Sequence, residues 1–177
     1  MEELIAKRYV KALASAMDEA SLANTAELFA VLSDTFEDKA FSDLINNPDV
    51  APEAKEKLLL SMVENAKSEL IDNMMRLLVE KRRISIIPAM AEELRLTLAR
   101  QTRTYEGRVY GNEKVDEKTL KSMAAELSKK MDASISLAFV DSDYDGIKVE
   151  VADLGVEIDL SKSRLNAQLV EHILKAI

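Results

Sequence analysis

The chain has 177 residues, a formal net charge of −8 and no cysteine, which excludes disulfides, thiolate metal sites and a cysteine nucleophile. With 24 basic against 32 acidic residues, it lacks the basic surplus that a duplex-binding protein presents to phosphate. A hydrophobic share of 47% beside 32% charged residues describes a folded, helix-rich chain rather than a disordered one.

The opening Met1-Glu-Glu-Leu-Ile-Ala carries two acids and no apolar run, unlike a secretory signal or an organellar presequence. No window approaches the run of about 18 uncharged apolar residues that a membrane-spanning helix requires. These features point to a cytosolic protein or one peripheral to something else. All four glycines fall between 107 and 155, and all three prolines between 48 and 88. Glycine serves tight turns, and proline serves helix starts and breaks. The first 104 residues therefore read as nearly all helix, and a second grammar begins near Thr104. Charge does not divide them: 14 basic and 18 acidic residues lie in 1–104, and 10 and 14 in 105–177, so each part is −4.

In chain order, Leu4, Ile5, Tyr9, Ala12, Leu13 and Ala16 form a first apolar stripe at helical spacing. A break at Ser21–Asn24 follows. Leu28, Phe29, Leu32 and Phe36 make a second stripe, and Phe41, Leu44 and Ile45 a short third, stopped by Asn46-Asn47-Pro48. Pro52 fits the first turn of a fourth helix. Leu70, Ile71, Met74, Leu77 and Leu78 make the fifth stripe. Ile87, Met90, Ala91, Leu94 and Leu98 make the sixth, with Pro88 in its opening turn.

Beyond Thr104 the period changes. Residues 105–111 read as a short strand, and Asp116 caps a helix carrying Leu120, Met123, Leu127 and Met131. Ile135, Leu137 and Phe139, then Ile147, Val149 and Val151, then Val156, Ile158 and Leu160 alternate with polar or small residues, as strands with one apolar face do. Asp153-Leu154-Gly155 reads as a hairpin turn, and Ser161 caps a terminal helix with Leu165, Leu169 and Ile173 on one face. The fold class is α+β: a six-helix bundle over 1–104, then a small α/β domain over 105–177 with a short sheet and a C-terminal helix.

Reactive chemistry is sparse. Asp141-Ser-Asp143-Tyr-Asp145-Gly146 matches the first half of an EF-hand loop, but the twelfth position, which supplies a bidentate carboxylate, is Ala152, and the flanks alternate like strands. A polar turn between strands is the simpler reading, with a divalent-metal site there as its rival. His172 is the only histidine, and no nucleophile elbow, P-loop or dinucleotide motif occurs. Lys81-Arg82-Arg83 complements the negative end of the fifth helix. What remains is apolar surface. Met74-Met75-Arg76-Leu77-Leu78-Val79 is apolar over more than one narrow stripe, which serves either a core or a groove for a partner helix.

Three segments resemble the delta subunit of F-type ATP synthases, the bacterial counterpart of the oligomycin sensitivity-conferring protein. They are Ala6-Lys-Arg-Tyr9-Val-Lys-Ala12-Leu13, then Leu77-Leu78-Val79-Glu80-Lys81-Arg82-Arg83-Ile84, and Val156-Glu-Ile158-Asp159-Leu-Ser161-Lys-Ser-Arg164-Leu165. The turn at 143–146, with acidic Asp143, departs from the usual family pattern. The resemblance implies a non-catalytic stator subunit without metal or cofactor, peripheral on the cytoplasmic face of the inner (plasma) membrane. It also implies that the helical part binds the catalytic head, taking an alpha-subunit N-terminal helix in a groove between its first and fifth helices. Tyr9, Ala12, Leu13 and Ala16 would form one wall, and Met74, Leu77 and Leu78 the other. The second part would hold the b-type peripheral stalk subunits, with Leu165, Leu169 and Ile173 as candidates. The rival readings are an unrelated helical adaptor and a carboxylate or metal-dependent enzyme using the 141–146 loop.

Overall fold

In the computed structural model, which describes residues 2–161, the chain divides into two units after Leu98. The expected terminal helix, with Leu165, Leu169, His172 and Ile173, lies outside the described residues.

The first unit is helical. Helix α1 (Glu2–Ala16) has Glu2 and Glu3 in its first turn, where acids complement the positive end of the helix dipole. Helix α2 (Glu19–Thr35) begins at Asp18, whose carboxylate accepts a hydrogen bond from the Ser21 amide at 2.8 Å. The break therefore falls at Met17-Asp18 and not at Ser21–Asn24. Aspartate caps a helix start strongly, and its cap places Ser21 and Asn24 inside the helix. Helix α3 (Lys39–Asn46) begins the same way at Asp38, which accepts from the Ala40 amide at 2.7 Å. Helix α4 (Pro52–Val63) starts on Pro52, whose missing N–H costs nothing in a first turn. Helix α5 (Glu69–Glu80) and helix α6 (Ile87–Thr102) are joined through a short 3-10 turn at Ile84–Ile86. Phe29, Leu59, Met75, Leu78, Ile87, Met90 and Leu94 are fully buried in one core that draws on all six helices.

Helix ends without glycine need another device. Lys67, Arg82, Arg103 and Asp132 take positive φ between 48° and 54°. At Arg82 the turn is a Schellman arrangement: its amide donates to the Val79 carbonyl at 3.0 Å and the Arg83 amide to the Leu78 carbonyl at 2.8 Å.

The last turn of α6, from Ala99, belongs to the second unit, so the division lies inside a helix and ahead of Thr104. Strand β1 (Thr104–Gly111) leads to helix α7 (Glu117–Met131) and strand β2 (Ser134–Asp141). Asp116 caps α7, accepting from the Thr119 amide at 2.8 Å and hydroxyl at 2.7 Å. Strands β3 (Gly146–Val151) and β4 (Val156–Ser161) complete a sheet of order β2-β1-β3-β4. β1 pairs parallel with β2, Val109 opposite Phe139, and antiparallel with β3, Val109 opposite Val149. β3 and β4 pair antiparallel around Gly155, which has φ +63°. Tyr105, Val109, Ile135, Val149 and Val151 form the apolar face, and Leu127 of α7 is buried with them.

Candidate functional site

The α1 stripe is too wide for one core face. At about 100° per residue, adjacent apolar pairs such as Leu4-Ile5 and Ala12-Leu13 diverge, and only one side of the helix is buried. The core takes Ala6, Val10 and Leu13. Ile5 and Tyr9 are left half-buried, Ala12 and Ala16 exposed, and Leu4 is 68% exposed. Ile5, Tyr9, Ala12 and Ala16 thus form one shoulder of α1, small-surfaced towards its C-terminal end. The Tyr9 hydroxyl accepts a hydrogen bond from Arg83 Nη1 at 3.2 Å, tying this shoulder to the segment that follows α5.

Helix α5 divides in the same way. Ile71, Met74, Met75, Leu78 and Val79 face the core. Leu70 and Leu77, seven residues apart and so on one side, are half-buried, and Leu77 packs against none of the buried core.

Of the seven residues expected to form the groove, Leu13 and Leu78, at 1% and 0% exposure, are core. Met74 at 8% is close to that state. These three belong to the core of the helical unit, because their helical phase points inward. Tyr9, Ala12, Ala16 and Leu77 present accessible surface. Leu4, Ile5 and Leu70 are further accessible apolar residues on the same helices. The width of the apolar stripes, too broad for a single core face, is the sequence signal that marks them.

Hydrogen bonds from Ser21, its hydroxyl first and its amide second, hold the Asp18 carboxyl below the ordinary carboxylate value. Those from Thr119 do the same for Asp116. Both are helix caps. The Glu157 carboxylate, hydrogen-bonded across the β3–β4 pair, holds the Lys148 ammonium above its ordinary value.

The 141–146 segment joins two strands where an EF-hand joins two helices. Gly146 takes φ +135°, the Ser142 amide donates to the Gly111 carbonyl at 3.0 Å, and the Tyr144 hydroxyl donates to Asp159 on β4. Among the described residues, no three His, Cys, Asp or Glu side chains converge as a metal site would need. Nor is any helix among them long and apolar enough to cross a membrane.

A family model described as the ATP synthase delta (OSCP) subunit matches residues 5–169. The ATP synthase subunit delta of Sulfurimonas denitrificans is 46% identical over 177 residues, all of both chains, and that of Nitratiruptor sp. is 41% identical over the same span. That of Aliarcobacter butzleri is 38% identical, again over the full length of both. In fold, the chain is similar to one in the cryo-EM structure of the Toxoplasma gondii mitochondrial ATP synthase hexamer, with TM-score 0.62 and 16% identity over 96% of this chain and 97% of that one. A family match over residues 5–169, joined to relatives identical at 38% to 46% of positions, means that the chain belongs to the ATP synthase delta (OSCP) subunit family.

Proposed function

We propose that this chain is the non-catalytic stator joint of a proton-translocating F-type ATP synthase. It ties the catalytic head to the peripheral stalk, so that rotor torque is spent on ATP synthesis and not on turning the head. The helical unit receives the N-terminal helix of an alpha subunit between the outer shoulders of α1 and α5. The second unit, with Leu165, Leu169 and Ile173, holds the b-type stalk subunits. The complex sits peripherally on the cytoplasmic face of the inner membrane.

The observation that carries this reading is the full-length identity to delta subunits. The apolar surface left over on α1 and α5 supports it, because an amphipathic helix docks through a few apolar anchors at helical spacing. Ala12 and Ala16 let an incoming backbone approach closely, and Leu4, Ile5, Tyr9, Leu70 and Leu77 supply apolar area around them.

Calorimetric titration with a synthetic peptide of the organism's own alpha-subunit N-terminus, about 20 residues long, tests it. One-to-one saturable binding with a negative heat-capacity change, the mark of buried apolar surface, is the expected result. No heat from a folded sample would remove the groove.

A further inference from the structure

A second recess of about 360 Å³ lies in the helical unit, where the end of α3, the Asn47–Ala51 connection, the start of α4 and the end of α5 meet. Its volume is within the range of ligand sites. Ile45, Pro48, Val50, Val79 and Ile84 give it apolar walls. Two ionisable residues line it, Lys55 and Arg82, and both are cations. That is against the grain of a chain with 32 acids and 24 bases.

Neither cation is fully used. The Lys55 ammonium donates to the Asn47 carbonyl at 2.8 Å, which engages one of its three protons. Among the described residues, the Arg82 guanidinium has no hydrogen bond or ion pair. Arg82 also stands at φ +54°, a left-handed position that glycine would occupy without strain. Pro52 places the start of α4, the positive end of a helix dipole, on the same recess. Ser85, which also lines the recess, donates to Glu2 at 3.3 Å, and Glu53 stands in the first turn of α4.

We propose that this recess docks an acidic peptide segment of a partner protein, an apolar side chain between the walls with flanking carboxylates on Arg82 and Lys55. A peptide, rather than a small organic acid, follows from reading the chain as one subunit of a larger assembly. The site is separate in composition from the α1–α5 face, sharing none of the residues assigned to that groove.

The test is a titration of the isotopically labelled full-length chain, followed by amide NMR, with acetyl-Glu-Leu-Glu-Ile-Glu-amide as the probe. Saturable shifts confined to the amides around Val50, Lys55, Val79 and Ile84 are expected, with none from the lysine counterpart of the probe. Arg82→Gly separates binding from folding, because the two readouts move in opposite directions. Its thermal midpoint rises, since the strain is relieved, while affinity for the probe falls about tenfold or more with the loss of a charge-assisted contact. Lys55→Gln weakens binding without the stability gain. Absent shifts, equal shifts from the lysine peptide, hexanoate matching the peptide, or unchanged affinity in Arg82→Gly would each overturn the proposal. Binding of the alpha-subunit peptide, measured in the same sample, is independent of all four outcomes, so the stator reading stands or falls separately.

Discussion

Two adjacent leucines separate the core from the proposed docking face. Leu78 is fully buried, while Leu77 is half-buried and packs against none of the buried core. Leu78→Ala removes a side chain from a close-packed interior, and the lost transfer energy plus the cavity left behind come to about 2–5 kcal/mol. A domain of this size is stable by about 5–15 kcal/mol, so the loss is a large fraction of the whole. Leu77→Ala loses only the buried part of its area, about 1 kcal/mol of folding stability. If an alpha-subunit helix covers the rest, the same substitution forfeits about another 1 kcal/mol of binding, roughly a fivefold weaker dissociation constant. Leu77→Asp places a carboxylate in that dry contact and should abolish measurable binding, with helicity unchanged by circular dichroism. Urea melts and calorimetric titration of the three variants decide the matter. Equal destabilisation by Leu77→Ala and Leu78→Ala, or full affinity in Leu77→Asp, would refute the assignment of Leu77 to the docking face.

Three further outcomes follow from local geometry. A Cβ on Gly107 would stand 2.6 Å from Leu137 Cδ2, 2.9 Å from Val151 Cγ2 and 3.0 Å from the Glu150 carbonyl oxygen. Val151 is fully buried and has little room to yield, so Gly107→Ala should destabilise the second unit by about 1–2 kcal/mol, seen as an earlier loss of sheet amides in hydrogen exchange. Lys67, exposed and left-handed at φ 48°, should give a gain of about 0.5–1 kcal/mol when replaced by glycine, since strain relief exceeds the added chain entropy; a lower thermal midpoint would contradict this. The Asp18 and Asp116 carboxyls are held below the ordinary value of 3.8. Their contribution to stability is therefore present above that pH and is lost as pH falls through the lowered values. Asn at either position still caps but does not titrate, so Asp18→Asn and Asp116→Asn should flatten the acid limb of a pH–stability curve below about pH 4 and leave it unchanged at neutral pH.

The helical order was legible because each stripe repeats at 3.6 residues, with Asn46-Asn47-Pro48 closing the third helix and Pro52 opening the fourth. The α1–α2 break was misplaced because Ser21 and Asn24 look like a turn when read alone. Asp18 outcompetes them by accepting the Ser21 amide, so that both polar residues are drawn into the helix it starts. Helix ends were harder, since the usual glycine is missing and Lys67, Arg82, Arg103 and Asp132 carry the left-handed turn instead. In the second unit, β2, β3 and β4 showed their alternation plainly. β1 did not show that it is an inner strand, because two of its four inward positions are Gly107 and Gly111, which give no apolar signal. Its parallel pairing with β2 depends on the crossover through α7, which a local pattern does not encode.

The accessible apolar surface of α1 and α5 was legible as a pair of helices but not as a set of side chains. Periodicity says that α1 and α5 each carry more apolar positions than one face of a helix needs; it does not say which of two neighbours the core will take. In Ala12-Leu13 and in Leu77-Leu78 the second residue is buried and the first is left accessible, a choice made by the other four helices and not by the local sequence. An exposed alanine is unremarkable alone, and so is one exposed leucine. Ile5, Tyr9, Ala12 and Ala16 on one side of α1, with Leu70 and Leu77 on one side of α5, differ in sharing a face along each helix after the core has been filled. That remainder is the surface on which the proposed partner helix would dock. Arg82, like Lys67, is a cation at a left-handed position where glycine would fold with less strain, and it differs from Lys67 in lining the recess beside α4.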